Sequence, residues 1–193
     1  MKQRAPPIPL VIMTIGHSTR PVVEFIHLLK AHDVHRLVDV RTVPRSRHNP
    51  QFNRDQLAVS LHSARLHYRY MSGLGGFRHA QRDSLNTGWH NSSFRGFADY
   101  MQTPEFRNNL DKLIELAKQE RIAVMCAEAV PWRCHRSLIA DALLARGVEV
   151  REITSALRSR VHTLTPWGQV NGTQVTYPAE RSAAPIRQQR TRL

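Results

Sequence analysis

Val124-Met-Cys-Ala-Glu-Ala-Val-Pro-Trp-Arg-Cys-His-Arg-Ser137 is the stretch on which the reading of this chain turns. An apolar run, residues 122–125, ends at Cys126, and a turn with Pro131 follows. From Ser137 to Arg146 apolar residues stand at 138, 139, 142, 143 and 144, and Gly147 closes the pattern. A short apolar run, a turn and a 3.6-residue period stopped by glycine read as strand, turn and helix. In an open α/β sheet ligands sit at such a junction, because helix N–H groups and strand ends converge there. This one holds the chain's only two cysteines, Cys126 and Cys134, together with Glu128, Arg133, His135 and Arg136.

Outward from the junction the alternation repeats. Residues 9–15 are β-branched and uncharged and read as a buried strand. The polar turn Gly16-His-Ser-Thr-Arg20 leads to Pro21, placed at the first position of a helix through about Ala31. Residues 34–40 read as a second strand, and 41–50 as a proline-punctuated loop with Arg41, Arg45 and Arg47. Asn53, with Gln56 three residues on, reads as a variant capping box for a helix to about Ala64. Residues 66–71 alternate as a third strand. Residues 72–91 form a long irregular segment with Gly73, Gly75, Gly76 and Gly88, of a length that is usually functional or mobile. Residues 94–101 read as a short helix. Thr103 and Pro104 then cap and open another, to about Glu120. Residues 148–153 are a fifth strand. Beyond Ser155 the pattern fades, apart from a hairpin signal at Asn171-Gly172.

Strands alternating with helices argue an α/β fold: one domain over residues 8–178, with a mostly parallel sheet of about five strands and helices on both faces. Residues 1–7 read as an N-terminal tail. Residues 179–193, basic and poor in apolar side chains, read as a C-terminal tail without fixed structure. Strand order is not readable from such a pattern, but polarity is, because parallel strands end at one edge. That edge collects His17, Ser18 and Arg20 after the first strand, and Asp39, Arg41, Arg45, Ser46 and Arg47 at or after the end of the second. Leu74-Gly-Gly76 follows the third, and Cys126 and Glu128 the fourth.

The 193 residues carry a formal charge of +13, almost all of it from arginine, since only Lys2, Lys30, Lys112 and Lys118 are lysines. Arginine grips phosphate and carboxylate through two hydrogen bonds at once and stays charged, so the expected partner is anionic, a small molecule or a nucleic acid. No apolar run approaches the about 20 residues of a membrane-spanning helix, which sets a membrane aside as a partner. With two cysteines and no segment of secretory form, the expected compartment is a reducing cytoplasm.

Six motifs stand in order along residues 12–153: Thr14-Ile-Gly-His-Ser-Thr-Arg20, Asp39-Val-Arg-Thr-Val-Pro-Arg-Ser-Arg47, Gln51-Phe-Asn53, Leu74-Gly-Gly76, Phe94-Arg-Gly-Phe-Ala-Asp-Tyr-Met101, and Cys126-Ala-Glu128 with Arg133-Cys-His-Arg136. Together they resemble the bacterial domain-of-unknown-function family 488. The resemblance implies an α/β fold and a site made from these motifs. It brings no reaction with it, so the chemistry rests on the residues.

Cys134, expected at or near a helix N-terminus between cations, has the setting that favours a thiolate, and an imidazole beside it completes one way of building a nucleophile. Small buried cysteines are the commoner alternative, and Cys126 at a strand end fits it better. A thiol-phosphatase loop needs five residues between cysteine and arginine. Here six separate Cys126 from Arg133, and they include Pro131 and Glu128. The donor types of Cys126, Cys134, His135 and His17 suit zinc, but C-x7-C-H is no strong zinc signature. Adjacent Cys134 and His135 on a helix would point about 100° apart. No metal and no cofactor is assigned. A two-cysteine redox pair remains open, without C-x-x-C spacing. Glu128 is a proton carrier or an ion-pair partner, and Asp39 an arginine's partner or part of the site. Tyr68, Tyr70, Phe77, Trp89, Phe94 and Trp132 are candidates to stack bases, or anchors of core and loop.

Two functions fit. One is an enzyme acting on a phosphate- or nucleotide-containing substrate, with Cys126, Glu128, Cys134 and His135 as its centre. Its anion-binding groups are then His17, Ser18, Arg20, Asp39, Arg41, Ser46, Arg47, Arg133 and Arg136. The other is a non-catalytic nucleic-acid-binding protein with structural cysteines.

Overall fold

A computed structural model describes residues 9–179. The tails expected at residues 1–7 and 179–193 lie outside the described residues, Ala179 excepted. The order is β1 (Val11–Gly16), α1 (Val22–Ala31), β2 (Arg36–Asp39), α2 (Arg54–Ser63), β3 (His67–Tyr70), α3 (Ser92–Tyr100), α4 (Pro104–Gln119), β4 (Ile122–Cys126), α5 (Arg136–Leu144), β5 (Glu149–Ile153), β6 (Ser159–Val161), β7 (Gln169–Asn171) and β8 (Gln174–Thr176). The main sheet has six strands in the order β3-β2-β4-β1-β5-β6. All its pairings are parallel except that of β6 with β5. The expected α/β architecture is therefore present, with one strand more than the sequence suggests.

Alternation along the strands divides the core. Met13, Ile15, Leu37, Ala123 and Met125 face Phe25, Leu28 and Leu29 of α1 and Leu57 and Leu61 of α2. Ile12, Val38, Ile122 and Val124 face Phe97 of α3, Phe106, Leu110 and Leu113 of α4, and Leu138 and Ile139 of α5. A strand covered on both faces gains from apolar side chains at every position, which is why β4 is uninterrupted in sequence.

This arrangement positions the site. From the carboxyl end of β4 the chain turns to α5 on one face, whereas from β1 and β2, its neighbours, it turns to α1 and α2 on the other. Loops that part in opposite directions at adjacent strand ends leave a crevice.

Local signals differ in outcome. Thr103 caps α4, its hydroxyl accepting from the Phe106 N–H at 3.2 Å, with Pro104 at the first position. Pro21 is the residue before α1 rather than its first. Asn53 precedes α2 but makes no cap. Its side-chain oxygen accepts instead from the Ser46 N–H at 2.8 Å, so it braces the arginine loop. Asn91 supplies a cap the sequence did not reveal, accepting from the N–H groups of Ser93 and Phe94, and so α3 starts two residues earlier than its apolar pattern. Beyond Ser155 the faded pattern conceals order. The buried Asp141 carboxylate of α5 accepts hydrogen bonds from Thr165 Oγ1 at 2.6 Å and Tyr177 OH at 2.8 Å, which hold the segment around the β7–β8 hairpin onto the core. The hairpin turns at Gly172-Thr173, one residue later than the Asn171-Gly172 signal.

Candidate functional site

β4 delivers Cys126 to the carboxyl edge. The chain then passes Glu128, makes a 3-10 turn at Pro131–Arg133, and becomes extended at Cys134 (φ −133°, ψ 142°) before α5 begins at Arg136. Cys134 is thus not on the helix. The expectation that its side chain would diverge from that of His135 fails, because it presumed helical geometry. The sulfur and the neighbouring imidazole converge. His135 Nδ1 lies 3.7 Å from Cys134 Sγ and 4.0 Å from Cys126 Sγ, and the three atoms lie within 4.8 Å of one another.

The imidazole is held from several sides. Its Nε2 lies 3.2 Å from the Val40 carbonyl, which can only accept, so Nε2 bears a proton and Nδ1 faces the sulfurs. Phe97 packs edge-on against the ring with centroids 5.0 Å apart. Gly76 closes another side, where a β-carbon would stand 2.6 Å from Nδ1. A second close approach joins β1 to the loop after β4: a β-carbon on Gly16 would lie 2.0 Å from the Glu128 carbonyl oxygen. The N–H groups of His17 and Ser18 donate to the carbonyls of Cys126 and Ala127 at 3.0 and 2.9 Å, so the two strand ends are stitched together.

The electrostatics favour one negative sulfur. A hydrogen bond from Cys126, acting against burial and helped by His135 and Arg136, lowers Cys134 to about 3. The same hydrogen bond and burial push Cys126 well above the thiol range. The pair shares a proton, and the thiolate character belongs to Cys134. Arg136, 1% exposed, sits behind it. Its guanidinium donates to both Glu152 oxygens at 3.3 Å and to the Glu128 carbonyl at 2.6 Å, while its Nε has no partner. Thr14 Oγ1 donates to Glu152. Burial raises Glu152 against the pull of Arg136.

Cys126, Cys134 and His135 form one wall of a cavity of about 700 Å³, which His17, Ser18, Arg41, Ser46, Glu128 and Arg133 also line. The sequence-predicted residues part company here. Arg41 faces the cavity but is committed. It grips the Asp39 carboxylate at 2.9 and 2.6 Å and donates to the Phe52 carbonyl at 2.8 Å. Asp39, fully buried, also accepts from Tyr68 OH at 2.7 Å, so it takes the structural role. His17 stacks on Phe52 at 4.1 Å, and burial lowers it to about 4, which keeps it neutral. Glu128 turns one oxygen back to the Val130 N–H at 3.2 Å. Arg20 is occupied by the Gly16 carbonyl at 2.6 Å and by Glu24 at 3.5 Å, and like the exposed Arg47 it does not line the cavity. Arg136 lies behind the wall and lines a second cavity instead.

Among the described residues, Arg45 and Arg133 are the exposed cavity-lining arginines with no carboxylate partner. Of the candidate aromatics, Phe77 and Phe94 line this cavity, while Trp89 and Trp132 line the second. The N–H groups of Arg133 and Cys134 close the 3-10 turn on Val130 and Pro131, so they do not ring an anion as a phosphatase loop would. Thr42 and Glu152 are further participants that sequence reasoning missed. Thr42 Oγ1 accepts from the Phe77 N–H at 3.1 Å and ties the long loop to the end of β2. Thr42 lies inside the quoted arginine-loop motif without standing out in it, and nothing around Glu152 singles it out, whereas the glycine pair before Phe77 is a visible signal.

Residues 21–143, well over half of the chain, match the family described as "Domain of unknown function DUF488". The match contains five of the six motifs and leaves out only that of residues 14–20. Nothing among curated proteins or solved structures matches the chain.

Proposed function

We propose that this chain, which belongs to the DUF488 family, is an enzyme acting on an anionic, phosphate- or nucleotide-containing substrate in the cavity at the carboxyl edge of its sheet. The observation that carries the reading is the meeting of two sulfurs and an imidazole at the wall of a cavity whose rim bears uncommitted arginines. Packing alone does not call for that combination, since a cysteine that only fills space needs no imidazole aimed at it. In this reading Arg45 and Arg133 hold the anion, while His17, Ser18, Arg41 and Ser46 shape the wall. The Cys126, Cys134 and His135 cluster is the reactive centre, and Glu128 carries the proton.

The test is a panel of phosphoesters and nucleotides run against wild type, Arg133→Ala and Glu128→Gln. Loss of one charge-assisted anchor raises KM about 10–100-fold. Loss of the proton carrier lowers kcat about 100–10,000-fold with KM largely kept. The reading falls if no member of the panel is turned over and the protein instead binds DNA or RNA of any sequence with steep salt dependence. That result would favour the non-catalytic alternative, for which the charge of +13 is the supporting feature.

A further inference from the structure

We propose that Cys126 Sγ, Cys134 Sγ and His135 Nδ1 are three ligands of a zinc ion whose fourth position opens into the cavity. The spacing fits. Tetrahedral zinc, with Zn–S near 2.3 Å and Zn–N near 2.0 Å, sets its ligand atoms about 3.5–3.8 Å apart. The two measured sulfur–nitrogen separations are 3.7 and 4.0 Å, and all three atoms lie within 4.8 Å. The sulfur–nitrogen separations are within about 0.5 Å of that geometry, and the sulfur–sulfur separation, at most 4.8 Å, has to close by no more than about 1 Å to bring all three onto one ion.

The imidazole is prepared as a ligand. A ligating histidine commonly gives its other N–H to a carbonyl or carboxylate, which fixes the tautomer. Here Nε2 donates to the Val40 carbonyl at 3.2 Å, leaving the Nδ1 lone pair toward the sulfurs. Phe97 and Gly76 fix the ring plane. The charge also balances. Two thiolates, one neutral imidazole and a divalent ion sum to zero, and the adjacent Arg136 is already matched by Glu152. Cys134 lies before helix α5, so the angular divergence of helical neighbours does not keep it and His135 from serving one ion.

Three protein ligands with a fourth position open is the pattern of catalytic rather than structural zinc. All three residues line the cavity, and Glu128, two residues beyond Cys126, lines it as well. The catalytic part of the inference rests on the enzyme reading above. Water at the fourth position attacks the substrate, and Glu128 takes its proton and returns it to the leaving group. One ester bond breaks, one bond to the water oxygen forms, and no redox partner is required.

The experiment is metal analysis of the full chain with cobalt substitution. Wild type is expected to bind one zinc per chain. Cobalt in its place should give thiolate-to-metal charge-transfer bands and the intense visible bands of a tetrahedral site. Zinc should block alkylation of both cysteines, and a chelator should restore it. Cys126→Ser, Cys134→Ser and His135→Ala should each weaken binding by more than the about 10–100-fold that loss of an outer-shell partner costs. Because these side chains are partly or fully buried and the variants can misfold, the cobalt spectrum of wild type decides. Absence of the charge-transfer bands overturns the metal site, and full turnover after chelation overturns its catalytic role; either result leaves the enzyme reading standing. A bound metal with no turnover of any panel substrate does the reverse.

Discussion

Gly76 lacks a side chain where His135 takes up the space. With a β-carbon 2.6 Å from Nδ1, Gly76→Ala must move either the imidazole or the loop. Overpacking of this kind costs about 1–3 kcal/mol. The expected result is a lower denaturation midpoint together with shifted His135 ring resonances in nitrogen NMR. An unchanged spectrum would show that the ring is not wedged against this glycine. At this scale the sequence is legible in residue type and place, not in direction. The glycine pair, the two cysteines and His135 all stand out on reading. That Arg41 turns to Asp39, Arg20 to Gly16 and Arg136 to Glu152 depends on rotamers and neighbours that a linear pattern does not encode. Counting arginines after strand ends therefore overstated the anion pocket, and Arg45, never chosen as an anchor, is among those left free.

The long segment between β3 and α3 is the element that carries Gly76 and Phe77 to the site, and a single carboxylate organises it. Asp99 of α3, itself buried, accepts from the Gln81 N–H at 2.8 Å, Ser84 Oγ at 2.5 Å and Asn86 Nδ2 at 2.8 Å. Asn86 in turn accepts from the Tyr177 N–H at 2.9 Å, so the loop is also fastened to the C-terminal hairpin segment. Asp99→Ala strands several donors and is expected to cost about 3 kcal/mol. It should make residues 78–91 the first site of limited proteolysis, well below the global melt. Equal cleavage in variant and wild type would count against the anchor. Irregularity and length mark such a segment in sequence, but its fixed shape does not show, because the carboxylate that fixes it lies on the next helix. Cys134 teaches the same lesson at the β4–α5 junction. The helix was legible from its apolar period, while its start, two residues past Cys134, was set by a 3-10 turn with no periodic signature.

Across the whole molecule, the strand alternation was readable, and from it the α/β class and the edge where the site lies. The order of strands was not, since pairing partners leave no mark on local pattern. One three-way contact at the opposite edge from the site ties three strands together. Glu120, just before β4, accepts from Arg36 of β2 at 2.6 Å and lies 3.0 Å from His67 of β3. Burial works to raise this carboxyl, but the hydrogen bonds from His67 and Arg36 outweigh it and hold it below its ordinary value. A carboxylate lowered by folding stabilises the protein above its unfolded-state value, and that stability is lost as pH falls through the lower folded value. Glu120→Gln is expected to cost about 1–2 kcal/mol at neutral pH, since the groups keep some contact with solvent. The difference from wild type should shrink in denaturation series taken toward acid. A difference that stays constant with pH would remove Glu120 from the acid response.

Strand β1 lies inside the sheet between β4 and β5, so the strand made first waits for the two made much later. Thr14 and its hydrogen-bond partner Glu152 are separated by 138 positions. At the usual pace of about 5–20 residues per second, a ribosome needs on the order of 10 s to cover that distance. Until β4 is made, an uncharged, β-branched strand has both edges open, the state most prone to pairing with another nascent chain, and one edge stays open until β5 follows. The parallel pairing that buries it also has high contact order, which slows closure once synthesis is complete. The same central placement that brings Gly16 beneath Glu128 thus makes β1 the strand of the main sheet that waits longest for its partners during synthesis.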